Sequence, residues 1–161
     1  MDGIERLLAI EEIKQLKARY FRCMDTKNWE GFAAVFTPDA TMDMSGEMRD
    51  NRTSGTGITT GATAIAEFVK GAVHDVTTVH HGHMPEIDIT SSTTARGIWA
   101  MEDMLRWPVG PSGPAEREVQ GAPITALHGY GHYHETYEKR GGAWLIASLT
   151  LTRLRVDTNF P

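Results

Sequence analysis

The segment TTVHHGHMPEI, Thr77 to Ile87, marks where the chain changes character. From here to Val156 most of it reads as extended. Strands are expected over Thr77–Thr90, Thr94–Trp107, Ile124–Lys139 and Trp144–Val156. Ser91-Ser92 and Arg140-Gly141-Gly142 supply hairpin turns. Pro85 has no N–H to give a ladder, so it predicts a bulge or an edge strand. Residues 108–123 hold four prolines and three glycines and read as a long hairpin loop.

Before this segment the periodicity is helical. Ile13, Leu16, Tyr20 and Met24 form an apolar stripe, with charged Glu11, Glu12, Lys14 and Lys17 between them. Asn28 suits the N-cap of a second helix through Trp29, Phe32, Val35 and Phe36, ended by Thr37-Pro38-Asp39. A short strand over Ala40–Met44 and a polar loop over residues 45–61 follow. A third helix is expected from Ala62 to Val73, with Ile65, Phe68 and Val69 inward. Helices first and long antiparallel strands second make an α+β fold, a curved sheet wrapped over helices around a pocket.

The bulk numbers fit one domain. The chain has 161 residues, 40% hydrophobic and 23% charged. A net charge of −5 argues against a general nucleic-acid-binding surface. No apolar run nears the roughly 20 residues that span a bilayer. The N-terminus lacks a secretory pattern, and one cysteine, Cys23, excludes an internal disulfide. A cytoplasmic protein is expected.

Histidine titrates near neutral pH and is the commonest general acid/base. His80, His81 and His83 fall together, with His80 on one strand face and the other two opposite. Spacing does not choose between the faces. On the next strand Trp99, Met101, Asp103, Leu105 and Trp107 share a face. A carboxylate in that apolar row needs a partner, and a histidine on the neighbouring strand is the candidate. Tyr20 points inward on the first helix, and Asp25 near that helix's C-terminus opposes its dipole, which would raise the aspartate's pKa. Arg153 continues the row Leu145, Ala147, Leu149, Leu151, either as a rim cation or as an anchor for an acidic group. His128, His132 and His134 share a face with Tyr130. With His81 and His83 they offer a cupin-like metal set that lacks a completing carboxylate. There is no P-loop, no Rossmann fingerprint and no Gly-x-Ser-x-Gly elbow.

These residues resemble the SnoaL-like branch of the NTF2-like superfamily, and within it the bacterial bile acid 7α-dehydratases. The run IKQLKARYFRCMD, Ile13 to Asp25, resembles their first helix. VHHGHMPEI, Val79 to Ile87, resembles their histidine strand, and TTARGIWAMED, Thr93 to Asp103, the strand after it. YEKRGGAW, Tyr137 to Trp144, resembles their last turn. The likeness spans nearly the whole chain. It implies one domain over residues 1–161, a cone of N-terminal helices on a mainly antiparallel sheet.

The resemblance assigns catalytic places to Tyr20, Asp25, His80 and Asp103 and a substrate-binding place to Arg153, with no metal and no cofactor. It implies a lyase that removes water from a hydroxylated, steroid- or polyketide-like ring near a carbonyl. His80, oriented by Asp103, would take a proton from carbon. Tyr20 would hydrogen-bond the developing enolate oxygen, and Asp25 would protonate the leaving hydroxyl, unless His80 and Asp25 exchange roles. The same groups would serve a ketosteroid-type isomerase or a polyketide cyclase, and the fold also hosts non-catalytic oxygenase β subunits. The implied partners are a small hydrophobic cyclic substrate and further copies of the chain, as a dimer or trimer, with no nucleic acid and no membrane. The loops 45–61 and 108–123 are longer than in those dehydratases, and His81 stands where they have an apolar residue. The substrate is therefore left open.

Overall fold

The computed structural model describes residues 2–45, 57–110, 113–114, 118–119 and 122–158. The first helix, α1, runs Gly3–Asp25 and opens with a capping box. The Asp2 carboxylate accepts the Glu5 N–H and the Glu5 carboxylate accepts the Asp2 N–H, both at 2.8 Å. Its inward stripe is Ala9, Ile13, Leu16, Tyr20, Cys23 and Met24, as the helical spacing predicts, and Lys17 lies within it. Lys17 is 1% exposed, so it is not one of the solvated charges.

The second helix, α2, covers only Trp29–Ala33, with the Asn28 side chain accepting the Gly31 N–H at 2.9 Å. The expected continuation through Phe36 is wrong: strand β1 begins there and runs Phe36–Asp43. Pro38 is tolerated because the β1 ladder is irregular between Phe36 and Thr41, so no paired N–H is demanded of it. Of the expected loop 45–61, residues 46–56 lie outside the described residues, and Ile58–Thr60 form a short strand, β2. Helix α3 spans Ala62–Val73 and buries Ile65, Ala66, Val69 and Val73. Phe68 faces outward instead, 38% exposed.

The four long strands follow. β3 is Thr77–Ile89 and β4 Thr94–Arg106. Within the expected loop the two-residue strands β5 (Val109–Gly110), β6 (Gly113–Pro114), β7 (Glu118–Val119) and β8 (Ala122–Pro123) pair as two small ladders. β9 is Ala126–Arg140 and β10 Ala143–Thr158. The main sheet has the order β2-β1-β10-β9-β4-β3, antiparallel throughout except for the parallel β1–β10 pair. β3 is an edge strand, and its register with β4 shifts between Gly82 and Pro85, so Pro85 marks both a bulge and an edge. The helices cover one sheet face and share a core with it. Complete burial of Ile13, Phe32, Ile65 and Ile146 there contributes about 1.5–3 kcal/mol each. Among the described residues no helix is long and apolar enough to cross a membrane.

A bulge in β10 between Ile146 and Ser148 corrects the expected row on that strand. Before it the buried residues are Trp144 and Ile146, and after it Leu149 and Leu151. The extra residue moves the inward set by one position and keeps Arg153 in line with Leu149 and Leu151.

Candidate active site

Three elements meet at His80. On β3, Thr78 and His80 are buried while Val79 and His81 face out, which decides the choice that spacing leaves open. His80 lies opposite Asp103 in the β3–β4 register. Asp25, the last residue of α1, reaches across to β3.

The imidazole is held by Asp25, not by Asp103. His80 Nδ1 lies 2.6 Å from Asp25 Oδ1, whereas His80 Nε2 is 4.0 Å from Asp103 Oδ2. The Asp25 carboxylate also accepts the His80 backbone N–H at 2.9 Å and the Thr78 hydroxyl at 2.8 Å. Burial alone would raise the Asp25 pKa, but the hydrogen bond and charge of His80, its N–H and the Thr78 hydroxyl hold it below the usual carboxylate value. The raised pKa expected from the helix dipole is therefore overturned: three local donors outweigh a distributed partial charge. An ionised Asp25 only accepts, so Nδ1 of His80 carries the proton that points at it, and in the neutral ring Nε2 holds the lone pair.

Asp103 is paired with Arg153. Arg153 Nη1 donates to Oδ1 at 2.8 Å and Nη2 to Oδ2 at 2.7 Å, a bidentate fork with both side chains at most 10% exposed. Arg153 is thus neither a snorkelling rim cation nor open at both prongs. Gly129, opposite Asp103 on β9, makes room for the pair. A Cβ there would lie 2.3 Å from Arg153 Nη1 and 2.3 Å from Asp103 Oδ1. The sequence reading passed over this glycine, although a glycine facing an inward carboxylate is a usable signal.

Tyr20 is 3% exposed and packs against Phe21, Phe32, Phe36 and Tyr133. Burial, then the charge of Glu135, push its phenol far above the ordinary range, while a hydrogen bond with Tyr133 works the other way. Tyr20 is therefore a neutral group at any physiological pH. Phe21 stacks on the His80 ring, centroids 6.3 Å apart and planes 12° from parallel. The inward row of β4, Trp99, Met101, Asp103, Leu105 and Trp107, is buried as alternation predicts. His80 thus sits in a polar group of Asp25, Thr78 and Asp103, with Phe21 against its ring and the apolar row of β4 alongside.

Behind this site lies a second polar group that the sequence reading missed. Lys17 pairs with Glu135 on β9, and neither side chain is more than 1% exposed. The other Glu135 oxygen accepts the Tyr137 hydroxyl, which in turn accepts Trp99 Nε1–H at 2.8 Å. The Lys17 ammonium sits 3.9 Å from the Tyr20 ring centroid and 3.8 Å from that of Tyr133. Burial pushes its pKa down, against the pull of Glu135.

His81, His128, His132 and His134 occupy the outer sheet face. His81 Nδ1 and His128 Nε2 flank Glu102 at 3.4 and 3.2 Å, Tyr130 bonds His128, and His134 bonds Thr152. Among the described residues no three His, Cys, Asp or Glu side chains converge as a metal site.

Comparison with known proteins agrees with this architecture. A family model described as a SnoaL-like domain matches residues 5–150. A protein of Gibberella zeae named a probable cyclase is 27% identical over 152 residues, covering 88% of this chain and 89% of that one. Among solved structures, a hexachlorocyclohexane dehydrochlorinase superposes with a TM-score of 0.75 at 16% identity, over 99% of this chain and 94% of its own. A provisionally assigned scytalone dehydratase from Novosphingobium aromaticivorans gives 0.76 at 20% identity, over 99% and 93%. With the cone-like sheet, the helical cover and this match over most of its length, the chain belongs to the SnoaL-like domain family of the NTF2-like fold.

Proposed function

We propose that the chain is a cofactor-independent hydro-lyase acting on a hydroxylated cyclic, steroid- or polyketide-like molecule with a carbonyl near the reacting carbon. The observation that carries this reading is the 2.6 Å Asp25–His80 hydrogen bond, which orients the imidazole and leaves Nε2 available as a base. His80 Nε2 takes the proton from the carbon beside the carbonyl, and that C–H electron pair becomes the enolate. Tyr20, kept protonated by burial, donates a hydrogen bond to the enolate oxygen. The enolate then reforms the carbonyl as the C–OH bond breaks, and the imidazolium returns its proton to the departing hydroxyl. Water leaves and His80 is neutral again. Asp25 steadies the imidazolium. Its low pKa removes it as the acid, so one histidine serves both transfers. The Asp103 carboxylate, held by Arg153, lies 4.0 Å from Nε2 and also favours the imidazolium.

Eliminating and ring-forming proteins among the relatives support small-molecule carbon-acid chemistry. The probable cyclase favours a second reading, in which the same base closes a polyketide ring. Screening hydroxy-ketones by mass spectrometry separates them. A product lighter by one water supports the dehydratase, and unchanged mass turns the reading to isomerase or cyclase. His80→Ala is expected to lower kcat by about 10²–10⁴, with Asp25→Asn impaired in the same direction. Full turnover by both variants would sink the mechanism. No turnover by the parent chain, with stable capture of an oxygenase subunit, would make it a non-catalytic component.

A further inference from the structure

Helix α1 ends in a turn that normally calls for glycine. Asn28 N–H donates to Cys23 O at 2.8 Å and Lys27 N–H to Met24 O at 3.1 Å, the two bonds of a Schellman motif. The residue between helix and turn must then be left-handed, and Lys27 sits there at φ +60°. Among the described residues it is the one non-glycine residue with positive φ. Glycine takes this conformation without steric cost and lysine does not. Retained backbone strain beside a candidate site asks what the side chain does.

The side chain reaches Thr78. Lys27 Nζ donates to Thr78 Oγ1 at 2.9 Å, and Thr78 Oγ1 lies 2.8 Å from Asp25 Oδ1. An ammonium can only donate, and a threonine hydroxyl has one hydrogen. With Lys27 occupying an acceptor lobe, that hydrogen is directed onto Asp25. Asp25 thereby receives its third donor, after the backbone N–H and the imidazole of His80. Losing this donor would leave the carboxylate free to rotate away from Nδ1. We propose that Lys27 is a positioning residue: its ammonium fixes the Thr78 hydroxyl, which locks Asp25 against His80. This rests on reading His80 as the base, and it adds to that reading a residue outside the acid/base set.

The test sets backbone strain against side-chain function. K27G relieves the left-handed strain and removes the ammonium. It is expected to melt at the same or a higher temperature than the parent, while kcat falls about tenfold to a hundredfold and KM holds. K27M loses a similar share of kcat, and K27R restores most of it, since a guanidinium also donates to Thr78. T78V loses as much as K27M, and K27M adds nothing in the T78V background, because Lys27 acts through Thr78. A residue with only a structural role would make kcat follow the melting temperature.

A second readout needs no substrate. The short His80–Asp25 hydrogen bond is expected to give a downfield imidazole N–H proton signal by NMR that shifts in K27M and K27G and returns in K27R. If kcat and this signal both stay as in the parent, the proposal is overturned. If the parent turns over no hydroxy-ketone but the signal still shifts, the dehydratase reading fails and the positioning role stands.

Discussion

Asp103 and Glu135 are two inward carboxylates on neighbouring strands, each in an apolar row, each matched to a cation. Glu135 has both oxygens bound within the core, by Lys17 and Tyr137, and its side chain is 0% exposed. Asp103 also has both oxygens bound, by Arg153, but it keeps a histidine at 4.0 Å, short of a hydrogen bond. The first cluster is closed on itself. The second has a partner held near but not consumed, the separation expected of a group that serves the proposed site rather than the core alone.

The hardest test of this contrast falls on Lys17. Lys17→Ala leaves a buried carboxylate short of its cation and is expected to cost about 3–5 kcal/mol in urea denaturation. The paired replacement Lys17→Met with Glu135→Leu is expected to recover much of that loss, because the desolvation cost disappears with the charges, short of what the Tyr137 hydroxyl loses with its acceptor. A loss from Lys17→Ala no larger than from Lys14→Ala on the exposed helix face would break the comparison.

Asp103→Asn comes next. It removes the charge that Arg153 grips and is expected to cost about 1.5–3 kcal/mol, the range of hydrogen bonds to charged groups. Its larger effect should be on kcat, measured with whatever hydroxy-ketone the parent accepts. A stability loss matching Lys17→Ala with kcat intact would place Asp103 in the same class as Glu135.

Acid dependence sharpens the picture at Asp25. Its folded-state pKa lies below the unfolded value, so the unfolded chain binds the proton more readily. The stabilisation is therefore fully present above the unfolded pKa, about 4, and fades as pH falls through the lower folded value. Denaturation midpoints stepped downward from pH 6 are expected to show this component in the parent and not in Asp25→Asn. The smallest effect is expected outside both clusters. Phe68→Ser on the open face of α3 should change stability by less than about 0.5 kcal/mol.

How legible each cluster was depended on what interrupts the pattern. The β4 row showed Asp103 plainly because aromatic and aliphatic residues flank it. The β9 row carries Glu135 in the same way, but Gly129 and Gly131 precede Tyr133 in it and blur the alternation. Lys17 was counted among the charges between the apolar positions because helical spacing places a Cβ and does not say where a four-carbon stem delivers its ammonium. His80 could not be separated from His81 by spacing, since both faces of β3 carried histidine; the family resemblance singled out His80, and burial and the reach of Asp25 divide the two in the fold. Asp25 was assigned its place but not its protonation state. The dipole argument took in the helix and missed the Thr78 and His80 donors, which lie 53 and 55 residues away in sequence. The bulge in β10 carries no compositional mark.

The distances along the chain have a consequence for synthesis. The Asp25–His80 contact spans 55 residues, Asp103–Arg153 spans 50 and Lys17–Glu135 spans 118. β10, which brings Arg153, is also the strand against which β1 lies in parallel. A ribosome must therefore release the chain past Glu135 before Lys17 can find its partner, and past Arg153 before the fork on Asp103 can close. Until Glu135 emerges, α1 carries an unmatched lysine on a helix with no complete sheet to dock on. Nascent chains stopped within β9 are expected to lack the Asp103–Arg153 pair.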